Sequence, residues 1–146
     1  MAVSLQKGQQ ISLSKEAGGE LTQVKLGLGW DVFQGQQEKK GGFLGKLFGG
    51  GTGGDSIDLD ASCIMFDANK QAVDAIWFSQ LKSKDGSIVH TGDNRTGDGD
   101  GDDEVINVDL SRVPADVMSL VFTVNSFTGQ TFETVENAFC RIVNAN

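Results

Sequence analysis

A two-sheet antiparallel β-sandwich with few short helical turns is the fold this sequence predicts. Three observations carry it. Twenty glycines stand against a single proline, β-branched and aromatic clusters recur in short runs, and no apolar stripe repeats at the helical period. Eight candidate strands in 146 residues would leave too much apolar face wet in one open sheet, so two packed sheets are expected. The length fits a single domain, residues 1–146, able to bury a core without staples.

The candidate strands run QISLS at 10–14, TQVKLGLGW at 22–30, SIDLDASCIMF at 56–66 and AVDAIWFSQL at 72–81. SIVHT at 87–91, VINVDL at 105–110, MSLVFTVNSF at 118–127 and VENAFCRIVN at 135–144 follow. Lys84-Asp85-Gly86 carries the Asp-Gly signal of a tight hairpin. Pro114 is expected to open one helical turn. Residues 34–55 break the strand rhythm with lysines, an FLGKLF patch and many glycines, and read as an inserted flexible loop. Cys63, Cys140, Trp30 and Trp77 all sit among apolar neighbours and are expected in the core.

The third strand alternates. Ile57, Leu59, Ala61, Cys63 and Met65 share one face, and Asp58, Asp60 and Ser62 share the other. On a solvated face the two carboxylates mean little. Near a second acidic segment they would complete an oxygen cage.

That segment exists. The net charge is −8, which removes the electrostatic footprint of a nucleic-acid binder and favours cations as partners. Much of the acid falls in GDNRTGDGDGDDE at 92–104, where Arg95 is the one internal positive charge. Calcium takes six to eight oxygen ligands from carboxylates, amides, carbonyls and water. Glycines at 92, 97, 99 and 101 let the backbone curl so that alternate aspartates and carbonyls converge, while Asn94 and Thr96 add neutral oxygens. The loop is not an EF-hand: counted from Asp98, Asp103 occupies the glycine position and Asp109 the twelfth. The number of acids suggests two calcium ions. Magnesium demands stricter octahedra, and zinc finds one histidine, His90, and two cysteines in unrelated strands. A run of acids is often just a solvated face; this one is internal, glycine-interleaved and bounded by strands, where unneutralised repulsion would cost stability.

GLGWD at 27–31, DLDAS at 58–62 and DGSIVHTGDNRTGDGDGDDEVINVDL at 85–110 closely resemble the TerD family of bacterial stress proteins. The resemblance continues through VPADVMSLVFTVNSF at 113–127 and NAFCRIVN at 137–144. It implies a calcium-binding β-sandwich of the tellurite-, phage- and colicin-resistance systems, not known as an enzyme. It implies that Asp58 and Asp60 face the acidic loop and share ions with Asp93, Asn94, Asp100, Asp102, Asp103 and Glu104, with the Thr96–Gly97 segment contributing. Asp31, closing GLGWD, is a further candidate ligand or a polar residue ending a strand. The insert after GLGWD departs from the usual pattern, which leaves subfamily and partner open.

The leading expectation is a calcium-dependent binding or scaffold module working with other proteins of the tellurium-resistance system. Met1 opens onto AVSLQKGQQ, which lacks the marks of a secretory signal, and no apolar run is long enough to span a bilayer. The protein is therefore expected in the cytoplasm, reaching the inner membrane only through a membrane-protein partner. A metal-dependent hydrolase is the alternative, weakened by the lack of a base beyond His90. Gly49, Gly51 and Gly54 satisfy GxGxxG, but no βαβ unit surrounds them. Asn94-Arg95-Thr96 satisfies a glycosylation sequon, inert in a cytoplasmic protein.

Overall fold

A computed structural model describes residues 3–32, 57–94, 101–129 and 135–146. After a short helix α1 (Leu13–Ala17), the chain forms seven strands. These are β1 (Gln23–Val32), β2 (Leu59–Asp67), β3 (Ala72–Ile76), β4 (Ile88–His90), β5 (Glu104–Asp109), β6 (Val117–Ser126) and β7 (Val135–Asn144). Two antiparallel sheets form, one ordered β4-β5-β1-β7 and the other β3-β2-β6.

The alternation read in the sequence sets the core. Val24, Leu26, Leu28 and Trp30 of β1 and Leu59, Ala61, Cys63 and Met65 of β2 are all buried in one core cluster, together with Ile76, Ile88, Ile106 and Val108. Each buried Val, Leu, Ile or Met side chain among them stabilises the fold by roughly 1.5–3 kcal/mol relative to exposure. Trp30 satisfies its one polar atom by donating Nε1–H to the Ile57 carbonyl at 3.0 Å, which ties β1 to the start of β2.

Five expectations are corrected. The run at 10–14 is no strand: Leu13–Ala17 is a helical turn, entered after extended Ser12 and closed by Gly18 at φ +69. Local chain-stopping signals outweigh a brief apolar alternation there. The turn after Pro114 is not helical but tight, with the Val117 N–H donating to the Pro114 carbonyl. β3 stops at Ile76, because Trp77 and Gln80 exchange backbone hydrogen bonds in a turn. Trp77 is thereby rotated outward and is exposed, whereas Trp30 is core. Cys63 is fully buried, which pushes its thiol up to about 12. Cys140 is exposed, because β7 is an edge strand.

The Asp-Gly hairpin is present. Gly86 adopts φ +81 and donates to the Ser83 carbonyl, and Ser83 N–H bonds the Ile88 carbonyl across it. The insert expected at 34–55 lies outside the described residues.

Candidate metal centre

Three chain segments meet at one end of the sandwich. Asp58 precedes β2 and Asp60 lies within it, Asp93 and Asn94 follow β4, and Glu104 opens β5. Among the described residues, ligand oxygens of Asp58, Asp60, Asp93 and Glu104 all lie within 4.8 Å of one another. Asp58, Asp60 and Glu104 are 5%, 6% and 0% exposed, so three of the four carboxylates are withdrawn from water. Asp93 is exposed. With Phe78 and Phe127 the three aspartates line an open cleft of about 250 Å³.

Glu104 is the best-tied member. Its Oε2 accepts the Ala61 N–H at 2.8 Å, and its Oε1 accepts the Asn94 N–H at 3.2 Å. His90 lies beneath it, with Nε2 3.3 Å from Oε2. His90 Nδ1 accepts the Gly92 N–H, which assigns the ring proton to Nε2, facing the carboxylate. The cluster is electrostatically crowded. Burial first, then the like charges of Asp58, Glu104 and Asp93, push the Asp60 carboxyl up to about 7. A side-chain hydrogen bond with Asp93 acts in the same direction.

The other expected ligands have different partners. Asp103 Oδ2 accepts the Trp30 N–H at 2.8 Å and its Oδ1 the Asn94 side-chain amide at 3.2 Å. Burial raises the Asp103 carboxyl; the Trp30 bond opposes this, and neighbouring Asp31, Asp102 and Glu104 add to it. Asp102 Oδ1 receives Arg141 Nε at 3.0 Å. Asp31 is exposed and takes the Asn137 amide at 2.8 Å. Thr96, Gly97 and Asp100 lie outside the described residues. Asp102 sits on β1 because GLGWD leaves it room. A Cβ at Gly27 would fall onto the Asp102 carboxylate, and one at Gly29 onto the Phe139 ring and, at 2.6 Å, the Gly101 carbonyl.

A family model described as the TerD domain matches residues 1–146. The chain belongs to the TerD family. It is 59% identical over 141 residues to tellurium resistance protein TerZ of Serratia marcescens, covering 97% of this chain and 68% of that one. It is 46% identical over 149 residues to stress response protein SCP2 of Bacillus subtilis (strain 168), covering 98% and 71%. A solved homologue of telluride resistance protein (TerD) from Streptomyces coelicolor A3(2) has the same fold, with TM-score 0.66 at 20% identity over 86% of this chain and 68% of that one. This TerD-family chain thus spans about two thirds of the length of these relatives.

Sequence reasoning missed four participants. His90 was legible in outline, since the SIVHT alternation puts it on the face of buried Ile88. Phe78, Phe127 and Arg141 reach the acidic end from distant chain positions and left no local signal. Among the described residues no helix is long and apolar enough to cross a membrane.

Proposed function

We propose that this TerD-family protein is a calcium-binding, non-enzymatic module of a bacterial stress-response system of the tellurite-resistance type, acting as a calcium-dependent binding or scaffold protein. The family assignment supports the system. The single observation that carries the metal is the convergence of four carboxylates, three of them buried, within 4.8 Å.

The donor set fits calcium. Oxygens at about 2.3–2.6 Å on opposite sides of one ion are about 5 Å apart, which matches the mutual spacing of the cluster. No nitrogen or sulfur of the cluster competes, because His90 faces Glu104 and Cys63 lies in the core. Asp58, Asp60, Asp93 and Glu104 would hold the ion, whose charge would offset the repulsion expressed at Asp60. A second ion would draw on Asp103 and Asp31, whose charges already act on one another.

The hydrolase reading is less well supported. A base must reach its substrate, and His90 is 2% exposed beneath Glu104. The protein is proposed to work in the cytoplasm with other members of the resistance system, at the inner membrane only through a partner. Calorimetric titration with calcium tests the reading, with Asp60→Asn as the variant expected to lose binding.

A further inference from the structure

The chain's single histidine touches both ends of the acidic segment. His90 stands opposite Ile106 on β5, so Glu104, two residues earlier on the same face, is its diagonal neighbour. The backbone around the ring is fixed. The His90 N–H donates to the Leu81 carbonyl at 2.7 Å and the Thr91 N–H to the Val105 carbonyl at 2.9 Å. From that anchored position Nδ1 accepts the Gly92 N–H at 3.0 Å. Gly92 turns the chain at φ +122, a conformation that favours glycine, and leads directly into Asp93. The other ring nitrogen lies 3.3 Å from Glu104 Oε2, and both side chains are shut off from water.

The Nε2 proton therefore sits in the interior beside a carboxylate. Among the described residues no well-aligned hydrogen bond uses that donor, and a buried donor is costly to leave unmade. An aliphatic side chain would fill the space without that cost. We propose that His90 is a positioning residue for the metal centre: it steadies Glu104 through Nε2–H and the Gly92–Asp93 entry of the loop through Nδ1. This role rests on the calcium reading above and makes the ring no ligand itself. Glu104 Oε2 already accepts the Ala61 N–H, and the His90 ring adds a charge–dipole contact at the same oxygen, which restricts the carboxylate further. A ligand restrained before the ion arrives loses less freedom on binding, and the difference appears as affinity. The Nδ1 contact serves the same end, because accepting from Gly92 leaves the ring proton to Nε2.

Two amide replacements separate the contacts. His90→Gln can place an amide N–H where Nε2 stands, whereas His90→Asn can place its carbonyl where Nδ1 stands but is too short to reach Glu104. Calorimetric titration with calcium alone at neutral pH should show His90→Asn binding about 10–100-fold more weakly than the wild type, the usual effect of removing a group that supports a metal ligand. His90→Gln should recover most of that loss. Circular dichroism checks that both variants are folded. The wild type supplies a second readout that needs no variant. With one histidine in the chain, isotope-labelled protein gives a single imidazole pattern in nitrogen NMR. The Nε2–H tautomer is expected with and without calcium, and calcium should move the Nε2 resonance because the charge of the neighbouring carboxylate is then shared. The role is overturned by the Nδ1–H tautomer, by an Nε2 resonance indifferent to saturating calcium, or by His90→Asn binding as the wild type does. Equal losses in the two variants also overturn it, since the ring would then only fill space. In each of these outcomes wild-type calcium binding stands. A flat wild-type titration removes the calcium reading and the role together, and should a variant fail to fold, the wild-type spectra decide.

Discussion

Glu104 Oε2 accepts the Ala61 N–H at 2.8 Å, joining the first residue of β5 in one sheet to the third residue of β2 in the other. A carboxylate that is a candidate metal ligand is thus also a tie between the two layers.

Glu104→Ala should therefore destabilise the protein with or without calcium. The stranded Ala61 donor alone costs about 1–3 kcal/mol, although removing one charge relieves the neighbouring carboxylates. Glu104→Gln keeps an acceptor for Ala61 and also removes the charge. The glutamine variant should be the more stable of the two without calcium while binding the ion weakly. Thermal unfolding of both variants, with calcium and with chelator, checks this ordering.

Gly29→Ala should disturb the acidic end from a distance. Its methyl would meet the Phe139 ring and the Gly101 carbonyl, and relief requires β7 or the loop to move. Overpacking of this kind costs about 1–3 kcal/mol. A lower unfolding midpoint combined with weaker calcium binding is expected, and an unchanged midpoint would remove the close approach as a constraint.

Arg141→Gln should cost less. The pair with Asp102 is half exposed on the arginine side, and exposed pairs contribute about 1 kcal/mol or less. Urea unfolding should show a shift of that size, fading at high salt.

Acid should weaken the fold through Asp74 and Asp85. Burial pushes the Asp74 carboxyl up, but hydrogen bonds from the Lys84 N–H, the Gln80 amide and the Ala75 N–H outweigh it and hold it below the usual range. For Asp85 burial is likewise outweighed, by hydrogen bonds from Ser87 and Ser83. A lowered carboxylate contributes stability that is complete above about pH 4, its unfolded value, and is lost as pH falls through the folded one. Urea midpoints should therefore drop below pH 4, and Asp74→Asn should flatten that limb. Asp60 runs the other way. Its carboxyl, raised to about 7, lowers the stability of the metal-free protein as pH rises from about 4 to 7, because the folded state there holds the extra proton.

The sequence carried the fold further than the site. Period-two alternation is a local property, so β2 and the inward face of β1 could be read from Ile57–Met65 and Val24–Trp30 directly. Leu13–Ala17 was obscured because a few alternating residues weigh little against Ser12 and Gly18. Trp77 and Cys140 were misread as core because burial depends on what lies opposite, and nothing local reveals that a strand ends or stands at an edge. In the acidic segment, composition identified oxygen chemistry. It did not separate Asp60 and Glu104, which face each other's charge, from Asp102, which Arg141 holds from 39 residues away. That sorting comes from strand register and not from spacing along the chain.

Calcium titration by calorimetry at neutral pH, comparing the wild-type chain with Asp60→Asn and Asp102→Asn, bears most directly on the central claim. Saturable binding is predicted for the wild type and, with little change, for Asp102→Asn, with at least a tenfold loss for Asp60→Asn. A flat wild-type titration, or binding indifferent to Asp60, would contradict it.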